Sequence, residues 1–237
     1  MIATANRVLR QLRHDPRTLA MIFVVPCALL TLLWWVYDGA PVFQSIAPAL
    51  LALFPLLIMF LVTSIATLRE RTSGTLERLL TLPVSKVGFL GGYAIAFGVL
   101  AAGQAVFASL LLVGPLGLDL AGPWGLLVLV AVLDALLGMS LGLFVSAFAR
   151  SEFQAVQFMP AVVLPQFLLC GLLVPRDQMP EVLEWVSRAL PLTYAVDAMT
   201  RVSTQPVPEI WGDVAVICAF VIGFLGLGAV TLKRRSA

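Results

Sequence analysis

Apolar side chains fill Thr18 to Tyr37, Ile46 to Leu68, Val87 to Gly114, Trp124 to Ala149, Phe153 to Val174 and Val214 to Leu232 almost without interruption. A bilayer core about 30 Å thick needs about 20 such residues in helical form, because every backbone amide must find its partner inside the segment. The pattern predicts an all-α membrane protein with six transmembrane helices, a single domain over residues 1–237. Pro26, Pro55, Pro160 and Pro165 should kink their helices. The fifth span, which carries Pro160, Pro165 and Gly171, is expected to be broken.

Three shorter stretches are amphipathic without being able to cross. In residues 1–17, Ala5, Val8, Leu9 and Leu12 recur at helical spacing while Arg7, Arg10 and Arg13 point elsewhere. That is the pattern of a helix lying in the headgroup plane, although a positively charged topogenic tail fits it equally. Residues 70–85 read ERTSGTLERLLTLPVS. Ser73 and Gly74 suit a helix start, Glu77 places negative charge in the first turn, and Pro83 forbids continuation, so a two-turn helix over 75–82 is expected. Leu76, Leu79 and Leu80 share one side of it; Glu77, Arg78 and Thr81 share another. A helix this short is marginal alone in water and has to be held by packing on its own bundle or on a partner. In the connection 175–213, Val182, Leu183, Val186 and Leu190 share a face between Pro180 and Pro191, which predicts a segment dipping into the outer leaflet.

Composition agrees: 60% of residues are hydrophobic and 12% charged, against about 45–50% and about 25% in soluble domains. Charge adds orientation. With both ends inside, 12 of the 15 Lys and Arg fall in cytoplasmic pieces, leaving only Arg176, Arg188 and Arg201 outside among more numerous acids. The first apolar run is longer than a signal-peptide core and should remain as an anchor. A net charge of +2 gives no basic excess for nucleic acid, and Cys27, Cys170 and Cys218 are too scattered for a zinc site.

Residues 70–85, with their E-x3-GTLE-xLL-x2-P-V-S pattern, resemble the cytoplasmic coupling segment of ABC-2 type transporter permeases, similar to the drug- and antibiotic-export permeases of the daunorubicin-resistance type. A second block, Met179-Pro180 through Trp185 and then P-L-T-Y-A-V-D-A at 191–198, is similar to that family's outer segment before the last span. The family usually continues with Arg, where this chain has Met199-Thr200-Arg201. The resemblance covers essentially the whole chain. It implies a bacterial plasma-membrane permease working with a second permease chain, identical or not, and with ATP-binding subunits that bring ATP and magnesium. The coupling helix would dock on the ATPase through Leu76, Leu79 and Leu80, with Thr75 in its first turn, Glu70 and Glu77 as polar partners, Gly74 aiming it and Pro83 ending it. The leucines can equally seat the helix beneath its own bundle. No G-x4-G-K-[ST] loop occurs, so a separate chain is expected to hydrolyse the nucleotide. No cofactor or metal is expected on this chain itself.

Asp134 is a carboxylate deep in a predicted span, at a cost of about 2.5–3.5 kcal/mol on insertion scales. It can serve a cationic substrate's path, a subunit interface, or a structural hydrogen bond. Gly138-Met139-Ser140-Leu141-Gly142 matches G-x-S-x-G, the motif of a serine nucleophile, but the one histidine, His14, lies at the N-terminal membrane edge. Small residues permitting close helix packing explain the motif better. Trp34, Trp35, Tyr37, Trp124 and Trp211 fall at predicted boundaries as belt residues. Trp185 and Tyr194, in the outer segment, can anchor it or meet an apolar substrate. The expected function is export of a hydrophobic drug or antibiotic. Polysaccharide or glycolipid export is the alternative within the family, and a secondary transporter or intramembrane protease outside it.

Overall fold

The computed structural model describes residues 2–38, 40–72 and 86–231, apart from the side chains of Ala3, Arg71, Thr72 and residues 86–90. Among these residues all regular structure is helical. The elements are α1 (Ile2–Arg13), α2 (Pro16–Val36), α3 (Pro41–Thr72), α4 (Lys86–Val113), α5 (Trp124–Val145), α6 (Glu152–Leu169), α7 (Glu181–Arg188), α8 (Pro191–Thr204) and α9 (Trp211–Thr231), with one 3-10 turn at Arg176–Gln178.

Five of them, α2, α3, α4, α5 and α9, are long and apolar enough to cross a membrane. The fifth expected span, 153–174, stops at Leu169 instead, because Gly171 turns the chain with φ +94°. The expected break falls at this turn and not at the prolines: α6 runs through Pro160 and Pro165. Its 18 residues include Glu152, Gln154, Gln157 and Gln166, and this polarity keeps it from meeting the same standard of length and apolarity. The fourth span ends at Val145 rather than Ala149, where Ser146 Oγ donates to Leu143 O at 2.7 Å and the chain turns. Conversely α3 is longer than expected, 32 residues or about 48 Å, so it must project beyond a 30 Å core.

The core forms around α5, which packs against α3, α4, α8 and α9. Burial separates the layers: 72% of the apolar window of α3 and 67% of that of α5 is covered by protein, against 17% for α2 and 11% for α9. The latter pair therefore presents most of its apolar surface outward. The closest approach is between α3 and α5. A Cβ at Gly138 would lie 2.3 Å from Leu56 O, and one at Gly142 would lie 2.5 Å from Phe60 O. The G-x-S-x-G sequence is thus the seam along which two helices run nearly in backbone contact, as small residues allow. Ser140 Oγ donates to Leu137 O of its own helix at 2.9 Å.

Two clasps close the bundle at the end where α3, α5 and α9 begin. The Gln44 amide donates to Gly117 O at 2.9 Å and accepts from the Asp119 N–H at 3.1 Å, tying α3 to the α4–α5 connection. The same connection bonds to the end of α8, through Ala121 N to Ser203 O and Gly122 N to Val202 O, both 3.0 Å. The Gly122 position would place a Cβ 2.6 Å from Val202 O, so only glycine permits this contact.

The 175–213 connection divides into two unlike helices. On α7, Val182, Leu183, Trp185 and Val186 are all exposed, so its apolar face turns away from the bundle. On α8, Leu192, Ala195, Val196, Ala198, Met199 and Val202 are buried. It packs on α3, α5 and α9 as a core element. The Arg201 guanidinium donates to Glu209 O at 2.9 Å and to the Asp213 carboxylate at 3.0 Å, joining α8 to the first turn of α9.

Candidate functional site

At the opposite end of the bundle, the helices on either side of residues 73–85 are fixed by polar contacts. The amphipathic reading of residues 1–17 is realised as α1, whose Ala5, Val8 and Leu12 are buried and which packs on α4 and α2. This docking delivers Arg7 inward. Its guanidinium donates to Glu70 Oε1 at 3.4 Å and to the Tyr93 hydroxyl at 3.2 Å. Glu70 lies in the last turn of α3, and Tyr93, 1% exposed, in the second turn of α4. One cation therefore ties three helices at the roots of the 73–85 segment. Next to it, Arg69 Nε and Nη2 donate to the two oxygens of Glu152 at 2.7 and 2.9 Å, holding the end of α3 to the start of α6. Hydrogen bonding to Arg69 pulls the Glu152 carboxyl below its usual range. Exposed ion pairs contribute at most about 1 kcal/mol. Their value here is positional: the two helix ends that carry residues 73–85 cannot shift without moving α1 and α6.

Of the residues expected to engage a partner, Glu70 faces Arg7 within the chain, with 15% of its side chain exposed. Gly74, Thr75, Leu76, Glu77, Leu79, Leu80 and Pro83 lie outside the described residues.

The second polar feature is inside the membrane-crossing part. Asp134 is fully buried on α5, and among the described residues neither of its oxygens has a hydrogen-bond partner. Gln104 on α4, 1% exposed, likewise has no partner there for its amide oxygen or nitrogen. Both stand about 15 Å from the helix ends joined by the 114–123 connection. Two unsatisfied groups at one depth, on neighbouring helices, are costly to the fold, since each lost partner is worth about 1–3 kcal/mol. Sequence reasoning singles out Asp134 but misses Gln104, whose only signal is an uncharged polar residue in an otherwise apolar run. It misses Arg7 and Tyr93 too, as nothing local in the chain announces a pairing across 86 positions.

The far-end candidates do not share a site with these. Trp185 is 63% exposed, with the Arg188 guanidinium 5.1 Å from its ring, while Tyr194 donates its hydroxyl to Arg188 O at 2.6 Å. The Tyr194 bond holds the end of α7 to the start of α8, and Gln166 of α6, whose side-chain oxygen accepts from Leu192 N at 3.3 Å, ties α6 to the same turn. Arg176 pairs with Asp197 on α8; burial raises the Asp197 carboxyl above its usual range and the arginine opposes the shift.

A bundle of this kind, with an amphipathic N-terminal helix and a short segment joining α3 to α4, invites comparison with transporter permeases. The sequence model of the ABC-2 type transporter family matches residues 1–202. The chain belongs to this family. It is 27% identical over 206 residues to the "Probable multidrug ABC transporter permease YbhS" of Escherichia coli, covering 85% of this chain and 54% of that protein. It is 26% identical over 194 residues to ABC transporter G family member 20 of Dictyostelium discoideum, covering 80% of this chain and 27% of that one. The inner membrane transport permease YhhJ of Escherichia coli is 28% identical over 141 residues, 59% of this chain and 38% of the relative. The chain thus spans about half or less of the length of these relatives. Both resembling blocks begin within the family match, and the anchored α3 and α4 ends flank the first of them.

Proposed function

We propose that the chain is the membrane-spanning permease subunit of an ATP-driven exporter in a bacterial plasma membrane. It moves a hydrophobic small molecule of drug or antibiotic type outward. ATP is hydrolysed by a separate subunit, whose closure is passed on through the helix expected at 75–82. Two permease chains, with both termini of each in the cytoplasm, part to open the path. The observation that carries this reading is the family match over residues 1–202, reinforced by a relative whose name describes a multidrug permease. The geometry agrees with it: α1, α4 and α6 brace the end of α3, so a push on residues 73–85 would be received by the bundle as a unit. The outward-facing apolar surfaces of α2 and α9 suit lipid or a second permease chain.

The test is to find an ATP-binding protein that copurifies with the chain, reconstitute the two together and measure ATPase activity over a panel of drugs and lipids. Stimulation by hydrophobic drugs and ATP-dependent transport are expected. Stimulation by glycolipids alone would favour the other substrate class, and transport without nucleotide by the chain alone would remove the ATP-driven reading.

Asp134 belongs to the proposed path. Its carboxyl is fully buried and has no hydrogen-bond partner among the described residues, which suits a role in transport or assembly better than one in the fold. Asp134→Asn should insert normally and melt at or above the wild-type temperature in detergent while transport falls by at least about tenfold, an effect of about 1.4 kcal/mol. Unchanged transport together with unchanged assembly would leave the residue without that role.

A further inference from the structure

The turn between α1 and α2 concentrates positive charge that the fold leaves unused. At this end of the bundle the described side chains include six guanidinium groups, on Arg7, Arg10, Arg13, Arg17, Arg69 and Arg150, against three carboxylates, on Asp15, Glu70 and Glu152. Glu70 is bonded to Arg7 and Glu152 to Arg69. Asp15 caps α2, accepting from Thr18 N at 3.2 Å and from Thr18 Oγ1 at 2.6 Å. Arg10, Arg13 and Arg17 are exposed and enter no ion pair among the described residues. Three positive charges against the one negative charge of Asp15 leave the corner with an excess of two.

The level of this charge in the membrane follows from α2. Met21, Val24, Leu32 and Trp35 are exposed and stand 4, 7, 15 and 18 residues beyond Arg17, which puts all five on one face of the helix. Eighteen residues of helix span about 27 Å, close to the thickness of a hydrocarbon core. With Trp35 in the belt at one interface, Arg17 stands at headgroup level at the other, and the stripe between them is apolar and open. Arg13 ends α1 on the other side of the same turn. The apolar face of α1 is already taken up by the bundle, since Ala5, Val8 and Leu12 are buried, so its charged edge is what it offers to the surroundings.

We propose that the corner between α1 and α2 binds an anionic phospholipid of the inner leaflet, its phosphate held by Arg13 and Arg17 and one acyl chain laid along Met21 and Val24. Charge selects the headgroup: phosphatidylglycerol brings a net negative charge to a basic corner, whereas phosphatidylethanolamine carries an ammonium that cancels its phosphate. The bound lipid bridges α1 to α2 and so helps to hold the helix that carries Arg7. Only the inner-leaflet orientation rests on the proposed function.

The test uses the full chain in nanodiscs of equimolar phosphatidylethanolamine and phosphatidylglycerol, extracted into detergent, washed, and analysed for retained lipid by mass spectrometry. Phosphatidylglycerol should be retained over phosphatidylethanolamine by about tenfold. The excess should shrink as salt is raised from about 0.1 M to about 1 M, where the Debye length falls from about 10 Å to about 3 Å. Arg13→Gln combined with Arg17→Gln should bring the two lipids near parity, while Arg13→Lys combined with Arg17→Lys should keep the excess. Arg150→Gln is the control: it removes a charge from the same end of the bundle, at the turn between α5 and α6, and should change nothing. No excess in the wild type, an excess that the double Gln variant leaves intact, or an equal loss with Arg150→Gln would each overturn the proposal, the last by showing that overall charge and not this corner selects the lipid. Unchanged lipid retention together with release of a copurifying protein would overturn it as well, because the surface would then belong to that protein. A double Gln variant that fails to fold leaves the salt dependence of the wild type and the double Lys variant to decide. No step requires nucleotide or transport, so this failure and the failure of the proposed function are separately visible.

Discussion

Gly138→Ala is expected to destabilise the bundle despite adding only a methyl group. In a helix interior, replacing glycine by alanine ordinarily gains about 1 kcal/mol from backbone entropy. Here the new Cβ would sit 2.3 Å from Leu56 O and 2.8 Å from Leu56 Cα, both main-chain atoms of a long buried helix that cannot rotate aside. Relief requires α3 and α5 to move apart along a seam that also includes Gly142 against Phe60, and overpacking of this kind costs about 1–3 kcal/mol or more. The clash therefore outweighs the propensity gain. Thermal unfolding of the detergent-solubilised chain should show a clear drop in Tm for Gly138→Ala and for Gly142→Ala. Gly223→Ala and Gly226→Ala are the matched controls, because a Cβ at either position meets nothing within 4 Å. They should be neutral or slightly stabilising. If Gly138→Ala melted with these controls, the close approach of α3 to α5 would be wrong.

The second large effect is expected at Leu79 or Leu80. Replacing either with aspartate puts a charge on the apolar face of the helix expected over 75–82. Should that face dock on an ATP-binding subunit, an unpaired buried carboxylate costs several kcal/mol, and interface anchors are worth about 2 kcal/mol or more. Association of the ATP-binding protein should then weaken by about thirtyfold or more, with ATP-dependent transport lost while the chain still inserts. Leu79→Met, similar in volume and apolar, should retain both. The alternative seating, beneath the chain's own bundle, predicts a different result: a lowered Tm of the isolated chain with association intact. Measuring pull-down, transport and Tm on the same variants separates the two, and normal transport with normal association would remove the docking role altogether.

Legibility differs sharply between the ends of the molecule. The amphipathic N-terminal helix is readable because an apolar face repeating at 5, 8 and 12 needs a surface to lie on; that the surface includes α4 is not, since contact partners are not encoded in spacing. The 191–204 segment shows the opposite failure. Its sequence resembles an outer connection, yet α8 is packed into the core with Leu192, Val196 and Met199 buried. Its apolar spacing is a helix signal, but a helix of 14 residues is too short to be counted as spanning, and only the surrounding α3, α5 and α9 make it interior. The limit of α6 is only partly legible: Gly171 marks a breaking point in a run apolar enough to continue to Val174, but that the turn falls there and not at Pro160 or Pro165 is decided by backbone geometry rather than hydropathy. In the candidate site, Glu70 and Asp134 are visible as charges in unusual surroundings. The pairing of Glu70 with Arg7 and the isolation of Asp134 are not, because each depends on which helices become neighbours.

What the sequence by itself determined is the helical membrane architecture, the family, and the polar segment at 70–85 between two apolar runs. Those follow from local physics, since hydrocarbon forces backbone hydrogen bonds to close within each segment and so makes length and apolarity sufficient. The tertiary structure alone decided that α5 is the centre, that Gly138 and Gly142 form a backbone seam, and that Arg7 locks the ends of α3 and α4. Such choices rest on shape and on pairing between residues far apart in the chain, and neither leaves a periodic trace along it.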